Sequence, residues 1–449
     1  MSNQCRPSDK KSPSAQCLRE QILELVEAYH AATQAESEPF IPGQSVLPYG
    51  GRVFGAEDIQ AAVGASLDFW LTLGPEGKGF EEELGAYLGC ENVLLVNSGS
   101  SANLVALSAL TSPKLDNPIC PGDEVITVDA GFPTTVNPIL QNGCIPVFVD
   151  VDPDTVNVDV TQLEAALSGK TRAVILAHTL GNPFDIDAVS SFCRHHDLFL
   201  IEDNCDALGS RYRGKPTGTF GDFGTSSFYP AHHVTMGEGG AVYTNSARLH
   251  RIAMSFRDWG RDCWCEGGDD DTCGNRFSRK WGNLPAGYDH KYVYSHIGYN
   301  LKPTDLQAAI GRVQLKRIDA FTAARKRNYA YLAERVKAFA DDWAFQQATA
   351  DSDPSWFGFL LRMRKPDHQR LTRICLELSR RKIGHRRLFA GSITHQPAYL
   401  TIDCRKVGDL ANTQMMMNGA FFVGVYPGLT DTMLEYLGES LETVLTMKG

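Results

Sequence analysis

The fold of this chain is decided by the stretch Ser226-Ser-Phe-Tyr-Pro-Ala-His-His-Val-Thr-Met-Gly-Glu-Gly-Gly-Ala-Val, which occupies residues 226–242. It begins with hydroxyl side chains, contains the adjacent pair His232 and His233, and ends in a glycine-rich turn before an apolar run. A lone histidine is normally a core or surface residue, so the meaning of this pair depends on the sequence around it.

Outward from this stretch, from about residue 85 to residue 245, short β-branched runs alternate with helical stretches. This alternation is typical of an α/β domain with a largely parallel sheet. The predicted strands are Val93–Val96, Glu124–Val128, Pro146–Val149, Ala173–Ala177, Leu198–Ile201 and Ala241–Thr244.

Three regions follow from the remaining pattern. Residues 1–45 form a polar lead-in with one amphipathic helix, Leu18–Thr33, and residues 46–335 form the large α/β domain. Residues 336–449 form a small C-terminal α+β domain. Within the large domain, the segment 259–299 has no convincing helix or strand, and loops of that length are usually functional or disordered.

Two further elements are expected near the small domain. Leu306–Val336 is predicted to be one long helical stretch. Phe357–Met363 and Ala420–Val425 are predicted to be strands of the small domain.

Charge and hydropathy exclude two classes of partner. The 449 residues carry a formal net charge of −10, and no basic cluster offers the concentrated Lys and Arg that a nucleic-acid phosphate backbone needs. No run of eighteen apolar residues occurs, and the N-terminus lacks the apolar core of a secretory signal. The sequence therefore predicts a cytoplasmic protein that binds neither nucleic acid nor a membrane.

Twelve cysteines are many for a reducing compartment. Five of them stand singly in apolar surroundings and are predicted to be small core residues: Cys90, Cys120, Cys144, Cys193 and Cys375. Cys263, Cys265 and Cys273 differ, because they lie in a segment rich in Gly and Asp that cannot form a core.

The segment Val96-Asn97-Ser98-Gly99-Ser100-Ser101-Ala102-Asn103 follows a predicted strand and opens a helix. Backbone N–H groups and hydroxyls at such a place can hold a phosphate, which makes Gly99, Ser100 and Ser101 candidate binding residues. The same residues also suit an ordinary helix N-cap, and the motif alone leaves that alternative open.

A second candidate is Asp203, which ends the buried strand of Leu198-Phe-Leu-Ile-Glu-Asp-Asn-Cys-Asp. The carboxyl ends of the strands are where α/β sheets bind ligands. A carboxylate there can keep a pyridine nitrogen protonated, so that the ring withdraws electrons from a substrate carbon. A helix N-cap is the other interpretation of this residue.

Taken in order, the motifs resemble a known family. Ser-Gly-Ser at 98–100, Glu-Asp at 202–203, Ser-Phe-x-Pro at 227–230, Gly-Glu-Gly-Gly at 237–240 and Gly-Tyr-Asn with Thr-Asp at 298–305 are similar to those of the sugar aminotransferases of aspartate aminotransferase fold. The resemblance covers roughly residues 50–440. In that family a lysine occupies the position of His232 and binds pyridoxal phosphate (PLP) as a Schiff base.

The resemblance implies what a histidine at this position would do. Imidazole cannot form that covalent bond, so the cofactor would stay untethered as pyridoxamine phosphate (PMP), while His232 still offers a base. By the same resemblance, Ser227 binds the cofactor phosphate, Phe132 stacks on the pyridine face, and Asn300 reaches a phosphate across the interface of a homodimer. His233 is more simply a structural neighbour.

Four cysteines stand at a distinctive spacing. Fifty-seven residues separate Cys205 from Cys263, one separates Cys263 from Cys265, and seven separate Cys265 from Cys273. Unrelated reduced thiols and a structural zinc site are alternatives, although Cys-x-Cys is poor zinc spacing. Four thiolates can also hold an iron–sulfur cluster.

This spacing, together with the histidine replacement, resembles the PMP-dependent, [2Fe–2S]-containing 3-dehydratases of CDP-6-deoxy-4-keto-hexoses and their TDP-sugar relatives in deoxysugar biosynthesis. The resemblance implies loss of the C-3 hydroxyl from a nucleotide-linked 4-keto-6-deoxyhexose, with His232 as the base. It also implies an external electron donor, either an NAD(P)H-dependent iron–sulfur flavoprotein reductase or a ferredoxin with its reductase.

Other interpretations remain open at this point. One is an aminotransferase that uses another lysine, Lys215 or Lys302, with a structural metal in the cysteine site. Another is a non-catalytic redox or metabolite sensor that keeps the fold and its ligands. Lys291, Arg261 and Arg387 could each bind a substrate diphosphate, and the sequence does not distinguish them.

Overall fold

The computed structural model describes residues 13–36, 38–265 and 269–448. The helices are α1 Ala15–Ala35, α2 Ala56–Asp68, α3 Pro75–Leu88, α4 Gly99–Leu110, α5 Pro133–Gln141, α6 Leu163–Ala166, α7 Ile186–His195, α8 Ala247–Arg257, α9 Asp305–Leu315, α10 Ile318–Val336, α11 His368–Arg380, α12 Ala411–Gly419 and α13 Asp431–Leu445. No helix in these ranges is long and apolar enough to cross a membrane.

The strands form three sheets. They are β1 Asn92–Val96, β2 Glu124–Val128, β3 Ile145–Val149, β4 Thr171–Ala177, β5 Phe199–Asp203, β6 Arg211–Tyr212, β7 Lys215–Pro216, β8 Phe223–Ser227, β9 Gly240–Thr244, β10 Trp343–Phe345, β11 Ser352–Asp353, β12 Gly358–Met363, β13 His385–Arg387, β14 Arg405–Lys406 and β15 Ala420–Gly424.

The large sheet confirms the predicted α/β fold. Its strand order is β1-β9-β8-β5-β4-β2-β3-β14, and every pair from β8 to β14 is parallel. Only β9 runs against its two neighbours. Each of the six predicted strands corresponds to an observed one. The strands are almost completely buried because helices cover both faces of the sheet.

A second sheet lies in the C-terminal part of the chain. β10, β12, β15 and β13 are hydrogen-bonded in that order and are antiparallel. Its apolar side chains pack with those of α10, α11 and α13 in one core cluster. Both predicted strands of this region are present as β12 and β15, while the division of the chain at residues 45 and 335 stays a prediction.

Two sequence-based expectations are corrected. The single helix predicted over 306–336 is broken into α9 and α10 at Lys316 and Arg317, where Arg317 pairs with Glu57 and Asp58 of α2. Cys90, Cys144 and Cys193 are buried as predicted, but Cys375 is only half-buried and Cys120 is exposed. Cys120 precedes the turn at Pro121 and Gly122, where the chain reaches the surface before β2.

Segment 259–299 has little regular structure, as the sequence predicts. Its described residues contain one short 3-10 turn, His290–Tyr292, and the isolated bridge of Arg261 to Tyr294, while the bridge of Asp258 to Asn300 flanks the segment. These bridges place the two ends of the segment side by side in antiparallel direction.

Candidate active site

A cavity of about 870 Å³ lies at the carboxyl ends of the central strands β2, β4, β5 and β8. This is the edge of a parallel sheet at which α/β folds bind ligands. Among the predicted site residues, six line it together with one of the four cysteines: Gly99, Ser100, Phe132, Asp203, Ser227, His232 and Cys205. Ser101 and Asn300 do not line it.

The N-terminus of α4 forms one wall of the cavity. Ser98 is the N-cap, and its Oγ accepts a hydrogen bond from the Ser101 N–H at 3.1 Å. The Ser101 hydroxyl donates to Asn97 Oδ1 at 2.6 Å, so both polar groups of Ser101 are used within the N-terminal turn of α4. Gly99 and Ser100 line the cavity instead, so the residue that serves the cap and the residues that face the cavity are different members of the motif.

Gly99 is required by a close approach. A Cβ at this position would lie 2.4 Å from the Cβ of Ser227, closer than real Cβ atoms come. The first turn of α4 therefore packs directly on the end of β8. Free helix N–H groups and the Ser100 and Ser227 hydroxyls converge there, which suits a phosphate.

Asp203 ends β5 and is 5% exposed. Its Oδ2 accepts hydrogen bonds from the Asn103 amide at 2.8 Å and the Thr135 hydroxyl at 2.7 Å. Its Oδ1 accepts one from the Cys205 backbone N–H at 3.2 Å. No helix begins at Asp203, so the N-cap interpretation is wrong, and the carboxylate is held in one orientation at the floor of the cavity.

His232 lies in the wall of the cavity between two aromatic rings. Its ring centroid is 5.3 Å from that of Phe357 and 6.5 Å from that of Tyr229. Burial, and next the positive charge of Arg325, lowers the pKa of His232 to about 4. The imidazole is therefore neutral near pH 7 and can accept a proton, as a general base must.

Asp206 is a site residue that the sequence analysis missed. Its Oδ1 lies 3.5 Å from His232 Nδ1, and it lines the same cavity. Burial, and next the charge of Asp203, raises the pKa of Asp206 to about 7. The sequence did point to Asp206, because it is one of three carboxylates at the end of the predicted strand, with Glu202 and Asp203, and only Asp203 was chosen as a candidate.

Arg325 of α10 is the second missed residue. It is 1% exposed, and its guanidinium donates to the backbone oxygens of His232 at 3.1 Å and Trp356 at 3.2 Å. Burial lowers the pKa of Arg325 to about 10, which leaves it charged near pH 7. Nothing in the sequence links this residue to a histidine 93 positions away.

His233 has a different environment from His232. It is 2% exposed, and its Nε2 lies 2.7 Å from the backbone oxygen of Ser355. Burial lowers the pKa of His233 well below its ordinary value. His233 does not line the main cavity, which agrees with its interpretation as a structural neighbour.

The rim of the cavity is aromatic and basic. Phe132 is 51% exposed and makes an edge-to-face contact with Phe389, whose ring centroid is 6.0 Å away. Of the three candidates for diphosphate binding, only Arg387 lines the cavity, beside Arg386, which the sequence analysis did not single out. The other two candidates, Arg261 and Lys291, belong to segment 259–299.

Neither alternative lysine lines the cavity. Lys215 donates to the Thr219 backbone oxygen at 2.9 Å. Lys302 donates to Asn300 Oδ1 at 2.7 Å and lies over the Trp259 ring. Asn300 is thus held by its own chain, and its role across an interface stays a prediction.

The four cysteines fall into two separate places. Cys205 lines the cavity, whereas Cys263, Cys265 and Cys273 lie in segment 259–299. Cys265 N–H donates to Cys263 Sγ at 3.5 Å, and Cys273 Sγ lies 3.6 Å from His290 Nδ1.

Across residues 13–36, 38–265 and 269–448, no three Cys, His, Asp or Glu side chains are grouped so that they could hold a metal ion. Cys263, Cys265 and Cys273 are therefore not grouped as metal ligands in the described part of the chain, and the four-cysteine cluster stays a prediction.

The sequence of this chain is similar to an aminotransferase family and to two bacterial proteins. The model of the DegT/DnrJ/EryC1/StrS aminotransferase family matches residues 54–442. The lipopolysaccharide biosynthesis protein RfbH of Salmonella typhimurium is 52% identical over 430 residues, covering 96% of this chain and 98% of its own. The dTDP-4-dehydro-2,6-dideoxy-D-glucose 3-dehydratase of Saccharopolyspora spinosa is 48% identical over 438 residues, covering 97% and 94%.

A solved structure supports the same fold. The GDP-4-keto-6-deoxy-D-mannose-3-dehydratase of E. coli, solved with bound hydrated PLP, superposes with a TM-score of 0.77 and 27% identity, covering 88% of this chain and 99% of its own. Its cofactor shows that this fold accommodates a pyridoxal phosphate derivative.

Proposed function

Because the chain belongs to the DegT/DnrJ/EryC1/StrS aminotransferase family, we propose that it removes the C-3 hydroxyl of a nucleotide-linked 4-keto-6-deoxyhexose with PMP as cofactor. The observation that carries the proposal is a neutral histidine in the cofactor cavity, at the position where the resembled aminotransferases have lysine. Two of the compared proteins are themselves named sugar 3-dehydratases.

The cavity residues fit PMP by their chemistry. Gly99, Ser100 and Ser227 offer N–H and hydroxyl donors for the phosphate, and Phe132 offers an aromatic face for the ring. The fixed carboxylate of Asp203 suits a protonated pyridine nitrogen. When bound, PMP supplies an amine that can join the 4-keto carbon of the sugar and a ring that can accept electrons.

His232 then performs the proton transfer. Its Nδ1 lies 3.5 Å from Asp206 Oδ1 without a hydrogen bond, and its Nε2 would take a proton from the amine-bearing carbon of bound PMP. With PMP joined to the sugar, the proton removed by His232 would leave an electron pair that the cofactor's conjugated system could pass to the sugar, which would allow the C-3 to oxygen bond to break. The hydroxyl leaves as water once it receives a proton, and the protonated imidazole is the nearby acid.

His232 needs support in this role. Arg325 donates a hydrogen bond to the backbone oxygen of His232 and so fixes the backbone there. The Asp206 carboxyl lies beside the imidazole, and because its pKa is raised to about 7 it is neutral below that pH and negative above it. A base of this kind contributes about 100- to 10,000-fold to a rate. Arg386 and Arg387 at the rim offer cationic donors to the nucleotide diphosphate.

The proposed enzyme also carries a [2Fe–2S] cluster and works as a homodimer. Completion of 3-deoxygenation requires two electrons, and a separate NAD(P)H-dependent iron–sulfur flavoprotein reductase or ferredoxin is the proposed source. The spacing of the four cysteines along the chain supports this part of the proposal. Asn300 is proposed to reach the phosphate site of the second subunit.

Two other functions are disfavoured by the cavity. An aminotransferase needs a lysine at the cofactor, yet Lys215 and Lys302 both lie outside the cavity lining. A non-catalytic sensor has no need of a base, yet His232 is neutral and accessible from the cavity.

The proposal is tested with PMP-loaded protein and a panel of CDP-, dTDP- and GDP-linked 4-keto-6-deoxyhexoses under a chemical reductant. Mass spectrometry should find a product that has lost the C-3 oxygen with wild-type protein and far less with His232→Asn. An amino sugar formed from glutamate, with no loss of oxygen, would replace the dehydratase by the aminotransferase.

A further inference from the structure

We propose that the rings of Phe357, Phe389 and Phe422 receive the C-6 methyl group of the sugar and so select 6-deoxyhexoses over hexoses that keep a C-6 hydroxyl. The three rings together are called the apolar wall. This inference rests on the proposed function and adds to it the residues that decide one feature of the substrate.

The apolar wall lines the main cavity. Phe422 is its middle ring, because its centroid is 6.2 Å from that of Phe357 and 6.4 Å from that of Phe389. Phe357 and Phe422 are buried, whereas Phe389 is half-buried. Phenylalanine side chains contain neither nitrogen nor oxygen, so the wall offers no hydrogen bond to a bound ligand.

One end of the apolar wall reaches the proposed base and the cofactor. The ring centroid of Phe357 is 5.3 Å from that of His232. Phe389 makes its edge-to-face contact with Phe132, the residue proposed to stack on the cofactor ring. The wall therefore stands beside the place where the cofactor amine and C-4 of the sugar would meet.

The other end of the apolar wall reaches a proposed diphosphate ligand. Phe422 on β15 lies directly opposite Arg386 on β13, and directly opposite residues of antiparallel strands share one face of a sheet. The Tyr49 ring joins them, with its centroid 6.3 Å from that of Phe422 and 4.0 Å from the guanidinium carbon of Arg386. A sugar that extends from Arg386 to the cofactor beside His232 therefore crosses the wall.

The covalent structure of a pyranose decides which of its edges can face the apolar wall. C-4 and C-1 are joined along one edge by C-3 and C-2, and along the other by C-5 and the ring oxygen. The first edge carries the C-3 hydroxyl, which has to receive a proton as it leaves. The C-5 edge of a 6-deoxyhexose carries only a methyl group outside the ring, so this edge can be buried against phenylalanine without an unpaired hydroxyl.

A hexose with a C-6 hydroxyl should bind less tightly. At the apolar wall its hydroxyl would lose water and gain no hydrogen-bond partner. Apolar pockets reject an added hydroxyl by about 100-fold at most. The dissociation constants of the two sugars should therefore differ by roughly 10- to 100-fold in favour of the 6-deoxy sugar.

Unreactive nucleotide sugars test this selection by binding alone. PMP-loaded protein is titrated in a calorimeter with dTDP-D-glucose and dTDP-6-deoxy-D-glucose, with the corresponding CDP and GDP pairs, and with the free nucleoside diphosphates. These sugars carry a hydroxyl at C-4 and cannot join the cofactor amine, so the titration reports affinity without turnover.

One variant and a matched control probe the wall itself. Phe389→Asn adds an amide that can pair with a C-6 hydroxyl, and asparagine tolerates the positive φ of Phe389, 40°, better than phenylalanine does. Phe69→Asn is the matched control, because Phe69 also has a positive φ, 55°, is 73% exposed and does not line the main cavity.

The apolar wall predicts that wild-type protein and Phe69→Asn prefer the 6-deoxy sugar by roughly 10- to 100-fold, and that Phe389→Asn lowers this ratio at least about threefold. Equal binding of the two sugars by wild-type protein, a result that needs no substitution, would overturn the inference and leave the nucleotide-sugar substrate in place. An unchanged ratio in Phe389→Asn would overturn it as well. Failure of every nucleotide and nucleotide sugar to bind would contradict both the inference and the substrate class of the proposed function.

Discussion

Replacing His232 by asparagine should abolish most of the dehydration rate while leaving the cofactor bound. Asparagine keeps a polar group in the gap between Phe357 and Tyr229 but has no basic nitrogen. Burial holds the pKa of His232 at about 4, which is roughly three units below pH 7. Nearly all of the wild-type imidazole is therefore neutral near pH 7 and can accept a proton.

The magnitude follows from this role. Loss of a positioned general base lowers a rate about 100- to 10,000-fold, which corresponds to about 3 to 5 kcal/mol of transition-state stabilisation. Cofactor affinity should change far less, because Asp203, Ser227 and Phe132 remain.

The assay is a single turnover of PMP-loaded protein with a 4-keto-6-deoxyhexose nucleotide, quenched and analysed for loss of the C-3 hydroxyl. Cofactor retention is read by absorbance after gel filtration. His233→Asn is the matched control: it removes a neighbouring buried imidazole that lies outside the main cavity. A His232→Asn rate within threefold of wild type, with PMP bound, would refute the assignment of His232 as the base.

Four further outcomes are expected. His232→Lys should bind PLP covalently and lose dehydration, which is measured by an absorption shift that survives dialysis; unchanged turnover would contradict the role of His232. Asp206→Asn should stabilise the protein near pH 8 but not near pH 4, because the pKa of Asp206 is raised from its ordinary value to about 7 in the folded state. The carboxyl therefore costs stability increasingly between those two values and fully above pH 7, and thermal unfolding at both pH values measures the difference. An equal or negative effect at the higher pH would refute this. Cys265→Ser should lose cluster iron while PMP still binds, as iron and absorbance measurements report; retained iron would exclude Cys265 as a ligand. Gly99→Ala should weaken PMP binding in a fluorescence titration, because its Cβ would clash with Ser227; unchanged affinity would show that the first turn of α4 can shift freely.

The sheet was predictable from the sequence because its strands are short, buried runs of apolar residues. The runs at 124–128 and 173–177 have that pattern, and both are nearly fully buried strands of the parallel sheet. The helix break before Ile318 was not predictable, because it depends on the pairing of Arg317 with carboxylates of a distant helix.

The site was predictable where residues belong to one local motif. Gly99 and Ser100 at a strand-to-helix turn, and Asp203 at the end of a strand, line the cavity as expected. Arg325 was missed because tertiary packing of α10 alone brings it to His232.

The central claim is that His232 drives the loss of the C-3 hydroxyl, and one measurement tests it most directly. A 4-keto-6-deoxyhexose nucleotide labelled with oxygen-18 at C-3 is mixed with PMP-loaded protein, without reductant, and labelled water is measured over a single turnover. Rapid release of labelled water by wild-type protein, and release slowed at least about 100-fold in His232→Asn, is the predicted result. Retention of the label on the sugar in both proteins, or equal release from both, would contradict the account.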